Sequence, residues 1–304
     1  MLFRFFSLFT KATKVEAHEI KAVFLSFAFV FTILASYYIL RPVRDGMSSD
    51  WTDVELSTIW TFTFLISFFV VSLYGFACSK IKFKFLVPSV YGFFSLTFFL
   101  LFLLIQLFPD LNLINQIFYV WVSVFSLLNM SVFWSFMADT YNKEQAKRLF
   151  GFIASGSSLG AIFGPIISLA LVRVIGSNSL ILISASMLLI PIVIVFHLEK
   201  IRVVELQNTT ASKFNEQPMG SNIFAGFKTF ATTPVLLGIG LFIVLYSGIS
   251  TFVYFELKNI LASIDQDART EIWAGMDLAV NVLAVLTAMF GTGRLVTRFG
   301  LTVT

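Results

Sequence analysis

Residues 22–45 read Ala22-Val-Phe-Leu-Ser-Phe-Ala-Phe-Val-Phe-Thr-Ile-Leu-Ala-Ser-Tyr-Tyr-Ile-Leu40-Arg41-Pro42-Val43-Arg44-Asp45. The run from Ala22 to Leu40 carries no charge, and two arginines and an aspartate follow it at once. About 20 mostly apolar residues in helical form cross the hydrocarbon core of a bilayer. This stretch is long enough, and it lacks the strict apolar/polar alternation of a barrel strand. It reads as a transmembrane helix with ionisable groups at its end.

The same reading repeats along the chain. Apolar runs cover Ala22–Leu40, Leu56–Ala77, Phe85–Leu107, Gln116–Ala138, Leu149–Val172, Ser179–His197, Pro234–Phe255 and Ile272–Phe290. An all-α membrane protein with eight spans is expected, joined by mostly short connections and one long one near 198–233. Composition agrees. Of 304 residues 58% are hydrophobic, 12% are charged and 38 are Phe, more apolar surface than a soluble globule can bury. Low charge and high hydrophobicity exclude a disordered chain. The net charge of +4 is modest, so no nucleic-acid partner is expected. One cysteine, Cys78, and two histidines, His18 and His197, leave no disulfide, zinc cluster or cofactor centre to propose.

Lysine and arginine set the orientation, because cationic loops stay on the cytoplasmic side. With the N-terminus inside, 16 of the 21 fall in inner segments, and Arg41, Arg44, Arg173, Lys258 and Arg269 fall outside. Both ends are then cytoplasmic. Met1–Phe9 is too short to span and precedes Lys11, Lys14 and Lys21, so residues 1–21 read as an amphipathic segment on the inner surface. Span 1 ends without a small-residue cleavage site, so no processing is expected.

The second half echoes the first. Gly75-xxx-Ser79-Lys80-x-Lys82 follows span 2, and Gly293-xxx-Thr297-Arg298-x-Gly300 follows span 8. Span 1 ends Tyr37-Tyr38-x-Leu40-Arg41, and span 7 ends Tyr254-Phe255-x-Leu257-Lys258. The two offsets are 218 and 217 residues, which implies parallel repeats. The Gly-xxx-x-(Lys/Arg) pattern resembles the signature of the major facilitator superfamily, in a degenerate first copy and a second copy lacking its Asp. That resemblance implies a twelve-helix bundle in two halves: a six-helix half over 22–197, a cytoplasmic linker over 198–233, and the start of a second half over 234–304. Residues 1–304 are then expected to be a C-terminally truncated fragment that does not transport by itself, the complete protein being a monomer. Span 5 carries Gly151-x8-Gly160-xxx-Gly164-Pro165, similar to an antiporter motif except for Ser168-Leu169 at its close. Ordinary close packing of helices explains the same residues.

Tyr38-Ile39-Leu40-Arg41-Pro42-Val43-Arg44-Asp45 resembles the first-helix motif of the nucleotide (ATP/ADP) exchange transporters, with Arg44 in place of a Lys. Phe133-Trp134-x-Phe136 with Asp139, and Ala146-Lys147-Arg148, match later motifs in order. The family's carboxylate within the fourth helix is absent between Asp110 and Asp139, and its seventh-helix Glu is matched only by the displaced Glu256. The resemblance implies exchange of a small anionic solute, with ATP/ADP as one candidate, across the inner membrane of a bacterium.

Candidate residues follow from the cost of charge within a membrane. Arg41 and Arg44 offer guanidinium forks for phosphate or carboxylate, with Tyr38 beside them and Lys258 as the repeat-equivalent arm of a clamp. Snorkelling to the outer surface is the alternative for Arg41 and Arg44, and a solvated loop lysine is the alternative for Lys258. Asp45, Asp277 and Asn281 are candidates for coupling or gating, the alternative for Asp277 being hydration near the outer interface. Lys80 and Arg298 are candidates for an inner gate. Tyr37, Trp134, Tyr246 and Tyr254 could stack on a flat ligand or form interfacial belts. Asn129 suits an interhelical hydrogen bond. Function reads as a secondary transporter working by alternating access. A non-transporting sensor or remnant with a transporter fold is the other reading, and a membrane enzyme lacks converging catalytic groups.

Overall fold

The computed structural model describes residues 15–204 and 230–291. Residues 1–14 of the N-terminal amphipathic segment, most of the linker and the Gly293–Gly300 signature with Arg298 lie outside these residues. Nine helices and a closing π-turn make up the described part: α1 (Ile20–Ser48), α2 (Asp53–Lys80), α3 (Phe83–Leu107), α4 (Asn112–Thr140), α5 (Lys143–Ile175), α6 (Ser177–Met187), α7 (Leu189–Val204), α8 (Pro234–Leu261), α9 (Gln266–Leu286) and the turn Thr287–Gly291. There is no strand among the described residues. Eight spans result, with α6 and α7 together forming the sixth.

Local chemistry sets the boundaries. Thr52 and Glu55 close a capping box on α2, Asn142 and Gln145 another on α5, and Asp265 caps α9. These side chains accept the backbone N–H groups that a first turn leaves free. Pro234 opens α8, where a missing N–H costs nothing. Gly176, at φ 79°, turns the chain from α5 into α6, a conformation that a Cβ would strain. The sixth span breaks at Leu188. Pro191 cannot donate to the Met187 carbonyl, so an unbroken helix has no bond there.

The first span differs from its sequence reading. It does not close near Leu40 but runs unbroken through Pro42 to Ser48, keeping Arg41, Arg44 and Asp45 on helical spacing. The eighth span likewise begins at Gln266, so Asp277 lies about three turns inside it rather than one or two.

The first six spans carry most of the packing, with α1 at their centre. Phe29 meets Tyr91 and Phe133 edge-on, with ring centres 5.5 and 5.1 Å apart. Phe94, Phe98, Phe118 and Phe125 continue the stack. The closest helix pair is α1 with α5. A Cβ on Gly160 would strike the Phe31 carbonyl, and one on Gly164 would lie 2.6 Å from the Ala35 carbonyl. Small residues let the two backbones touch, which is how helices associate without a hydrophobic drive. Gly156 extends this stripe by one more turn, its Cβ position 2.7 Å from the Phe27 carbonyl. Pro165 is buried within α5 beside Gly164, and the helix continues past it. By contrast, Phe62, Phe64, Phe68 and Phe69 of α2 and most of α8 are exposed, as suits residues that meet lipid.

Polar ties lock both ends of the bundle. At one end Arg148 holds Glu19 at 2.8 Å and Arg202 holds Asp139 at 2.6 Å. At the other, Trp51 donates to Asn112 over 2.7 Å, joining the α1–α2 and α3–α4 turns.

Candidate functional site

Four charges from two helices meet well inside the bundle. Arg44 donates from Nε and a terminal nitrogen to Asp45 Oδ1 at 2.9 and 2.7 Å, and its other nitrogen reaches Ser123 of α4 at 3.3 Å. The guanidinium lies 5.1 Å from the centre of the Tyr119 ring. Arg41 stands 3.6 Å from Asp45 and 3.1 Å from Asp277 of α9. The Asp45 side chain is 2% exposed and that of Asp277 10%, whereas Arg41 keeps 35% of its own accessible. Unpaired charges at such depth are costly, so each arginine meets a carboxylate.

Aromatic groups from four helices roof the cluster. Tyr254 of α8 donates to Asp45 at 3.1 Å and lies within hydrogen-bond reach of the Ser48 and Tyr119 hydroxyls. Trp60 of α2 donates to the Tyr119 hydroxyl at 2.8 Å. Trp273, one turn before Asp277, tilts against Tyr254 with ring centres 5.3 Å apart. Tyr38 lies beneath Arg41, its ring centre 5.8 Å from the guanidinium carbon. Asn281 donates to the backbone carbonyl of Asp277 at 2.7 Å.

One turn further towards the Trp51 end, a clasp joins α8 and α9 to the first six spans. Lys258 is 1% exposed; its ammonium lies 2.8 Å from Asp53 and donates to the Trp51 carbonyl at 2.7 Å. Arg269 pairs with Asp50 and caps the carbonyls of Leu261 and Ala262 at the end of α8. Arg173 pairs with Glu271 at 2.6 Å, and the Ser177 backbone N–H donates to Asp267 at 2.7 Å. Gly46 lets α9 approach: a Cβ there would lie 2.8 Å from the Thr270 hydroxyl. The buried residues of α9 run from Ala268 to Asp277, and those of α8 are Lys258 and Leu261. The buried contacts of α9 therefore run from the clasp to Asp277, the innermost buried residue of that helix.

The candidates from sequence thus fall into three groups. Arg41, Arg44, Tyr38, Asp45, Asp277 and Asn281 come together. Lys258 sits in the clasp with its charge engaged by Asp53, one turn from Tyr254. Lys80 is exposed in the last turn of α2, and Arg298 lies outside the described residues. Among the aromatic candidates, Tyr254 joins the cluster. Tyr246 is 65% exposed, and Trp134 packs between Phe133 and Phe150. Glu256 is exposed. The Asn129 backbone carbonyl, not its side chain, accepts the Tyr91 hydroxyl. Sequence reasoning missed Tyr119, Ser123, Trp60 and Trp273, and also the partners Asp50 and Asp53. The spacing of Trp273 and Asp277, four apart on one helix face, was the available signal for Trp273.

A family model described as the Major Facilitator Superfamily matches residues 27–304. No curated protein and no solved structure matches the chain.

Proposed function

The chain belongs to the Major Facilitator Superfamily, and from that membership of a family of membrane secondary transporters we propose that it moves a small anionic solute by alternating access. The observation that supports this most is the pair Arg41 and Arg44, held helically on α1 where the two parts of the molecule meet. Guanidinium forks recognise phosphate and carboxylate through paired charge-assisted hydrogen bonds. Arg41 is the arm a solute reaches, since its side chain keeps the larger exposure. Arg44 is fixed by Asp45, Ser123 and Tyr119 and gives the cluster its positive depth. ATP/ADP exchange is the finer reading, resting on the motif around Tyr38–Asp45.

In the proposed topology both ends face the cytoplasm of a bacterium and the clasp faces outward. Residues 22–197 act as one half, 198–233 as linker and 234–304 as part of the second. The clasp of Lys258, Arg269 and Arg173 then closes the outer side, so the arrangement is the one open to the cytoplasm. Asp277 and Asn281 gate the solute's path beneath the clasp, and Lys80 and Arg298 serve the cytoplasmic gate. The complete protein acts as a monomer.

Reconstitution of the complete protein into liposomes tests the reading. Labelled ADP, ATP, inorganic phosphate, succinate and glucose 6-phosphate form the panel. Uptake of at least one, lost in Arg44→Ala, is expected. No flux of any, or flux indifferent to Arg44→Ala, defeats the anion site, and binding without flux favours a sensor. Uptake of ADP or ATP that requires the other inside supports nucleotide exchange.

A further inference from the structure

Trp273 is 7% exposed, and its indole Nε1 is buried with no acceptor among the described residues. The other buried side-chain atoms in the same position are oxygens of Ser49, Ser67, Tyr74 and Asn129. A hydroxyl can rotate towards another carbonyl. An indole N–H only donates, in one direction that its ring fixes. A buried donor left unmade is costly, and the more so in a membrane, where no bulk water reaches it.

Its place ties this donor to the charge cluster. Thr270, Trp273, Ala274 and Asp277 lie on the buried face of α9. That face meets α1, since a Cβ on Gly46 would strike the Thr270 hydroxyl. Trp273 precedes Asp277 by four residues, about 6 Å along the helix. Asp277 in turn lies 3.1 Å from Arg41. On its other side the indole leans on Tyr254 of α8, ring centres 5.3 Å apart. The polar side chains described around it are engaged elsewhere. Tyr254 donates to Asp45, the Thr270 hydroxyl accepts from Ser177 at 3.0 Å, and Asp277 holds Arg41.

We propose that Trp273 is a specificity-determining contact for the solute, which is an organic anion with a neutral oxygen or nitrogen acceptor about one helical turn from its charged group. This deepens the anion reading above and rests on it. Arg41 has the accessible face and takes the charge. Trp273, one turn nearer the clasp, takes the acceptor. That second group is neutral because the indole offers a dipole, not a charge, and Asp45 and Asp277 already occupy the two guanidinium groups. Inorganic phosphate is too short to touch both residues, whereas a sugar phosphate or a nucleotide is long enough. The orphaned donor also rejects. A solute that sets a methylene against it leaves it unpaired, which is how a polar site discriminates.

The complete protein in detergent tests this, with inorganic phosphate, glucose 6-phosphate and ADP as binding probes. Two variants remove the donor: Trp273→Phe, and 3-benzothienylalanine at position 273, which puts sulfur in place of the N–H at nearly constant shape. Both should weaken binding of the organic probes about tenfold and leave inorganic phosphate unchanged. With the sulfur isostere the melting temperature of the ligand-free protein should stay level or rise, since no bond is lost. Equal weakening of phosphate and organic probes overturns the proposal, as does no weakening at all. So does a wild type that holds phosphate as tightly as both organic probes, or a melting temperature that falls with the isostere. Binding of no probe to the wild type, or binding indifferent to Arg41→Ala, defeats the anion site and this inference with it. Binding that needs Arg41 but ignores both changes at position 273 defeats this inference alone.

Discussion

Arg41 on α1 and Asp277 on α9 are 236 residues apart in sequence, and their side chains meet at 3.1 Å. Breaking one partner of a buried pair typically costs about 3–5 kcal/mol. Arg41 is about a third exposed, so solvent screening reduces this to roughly 1–3 kcal/mol. Asp277→Ala should therefore lower the thermal stability of the solubilised protein, and Arg41→Ala should do the same. The double variant should be less destabilised than the sum of the two, because neither charge is then left alone. Strict additivity in that cycle would mean the pair contributes nothing.

Arg44 should not tolerate lysine. It binds Asp45 through two nitrogens, touches Ser123 with a third and stacks over Tyr119, a geometry that a point-charged ammonium cannot reproduce. Losing one charged hydrogen bond of roughly 1.5–3 kcal/mol corresponds to about a ten- to hundred-fold drop in transport rate. Initial-rate uptake of the transported probe in Arg44→Lys measures this, and near-normal rates would remove Arg44 from the site.

The helical spans were legible because their signal is local: length, apolarity and the absence of alternation decide each one. The Arg41/Arg44/Asp45 group and Asp277 were legible because charge is rare inside a span. What brings them together was not, since it depends on α1 continuing through Pro42 and α9 starting at Gln266. A proline at the end of an apolar run reads as a stop, yet here the neighbouring helices hold the residues beyond it in helical form. Lys258 shows the opposite case. Its place in the repeat pointed to the solute, while Asp53, five residues past the end of α1, supplies the partner that occupies it. No local pattern links those two positions.

The clasp should control access from its own side. Asp53→Asn removes the carboxylate of the Lys258 pair, and Asp50→Asn that of the Arg269 pair. In a Cys78→Ser background, Ser48→Cys places a thiol beneath the clasp next to Tyr254. A membrane-impermeant thiol reagent added outside should label it several-fold faster once both aspartates are neutralised. Unchanged labelling would show that the ion pairs do not hold that side shut.

The glycine stripe of α5 should sort by contact, not by motif. Gly160→Val drives side-chain atoms into the Phe31 carbonyl on α1, and overpacking of this kind costs about 1–3 kcal/mol. Gly151 belongs to the same sequence pattern but has nothing within 4 Å of a Cβ, so Gly151→Ala should be neutral or slightly stabilising in a helix. Thermal melts of the two variants distinguish the cases; equal losses would refute the packing account.

Glu19 offers a pH test outside the spans. Burial pushes its carboxyl up, but the Glu16 backbone N–H at 3.0 Å and the Arg148 guanidinium at 2.8 Å outweigh burial and hold it below its ordinary value of 4.5. A carboxyl depressed in the folded state binds its proton less readily than in the unfolded chain. Its contribution to stability is therefore fully present above about pH 4.5 and fades as pH falls through the depressed value. Melting temperatures of the wild type and Glu19→Gln should differ at neutral pH and converge on acidification. A gap that stays constant into the acid range would mean that packing around residue 19, not the charge on it, ties α1 to α5 at this end.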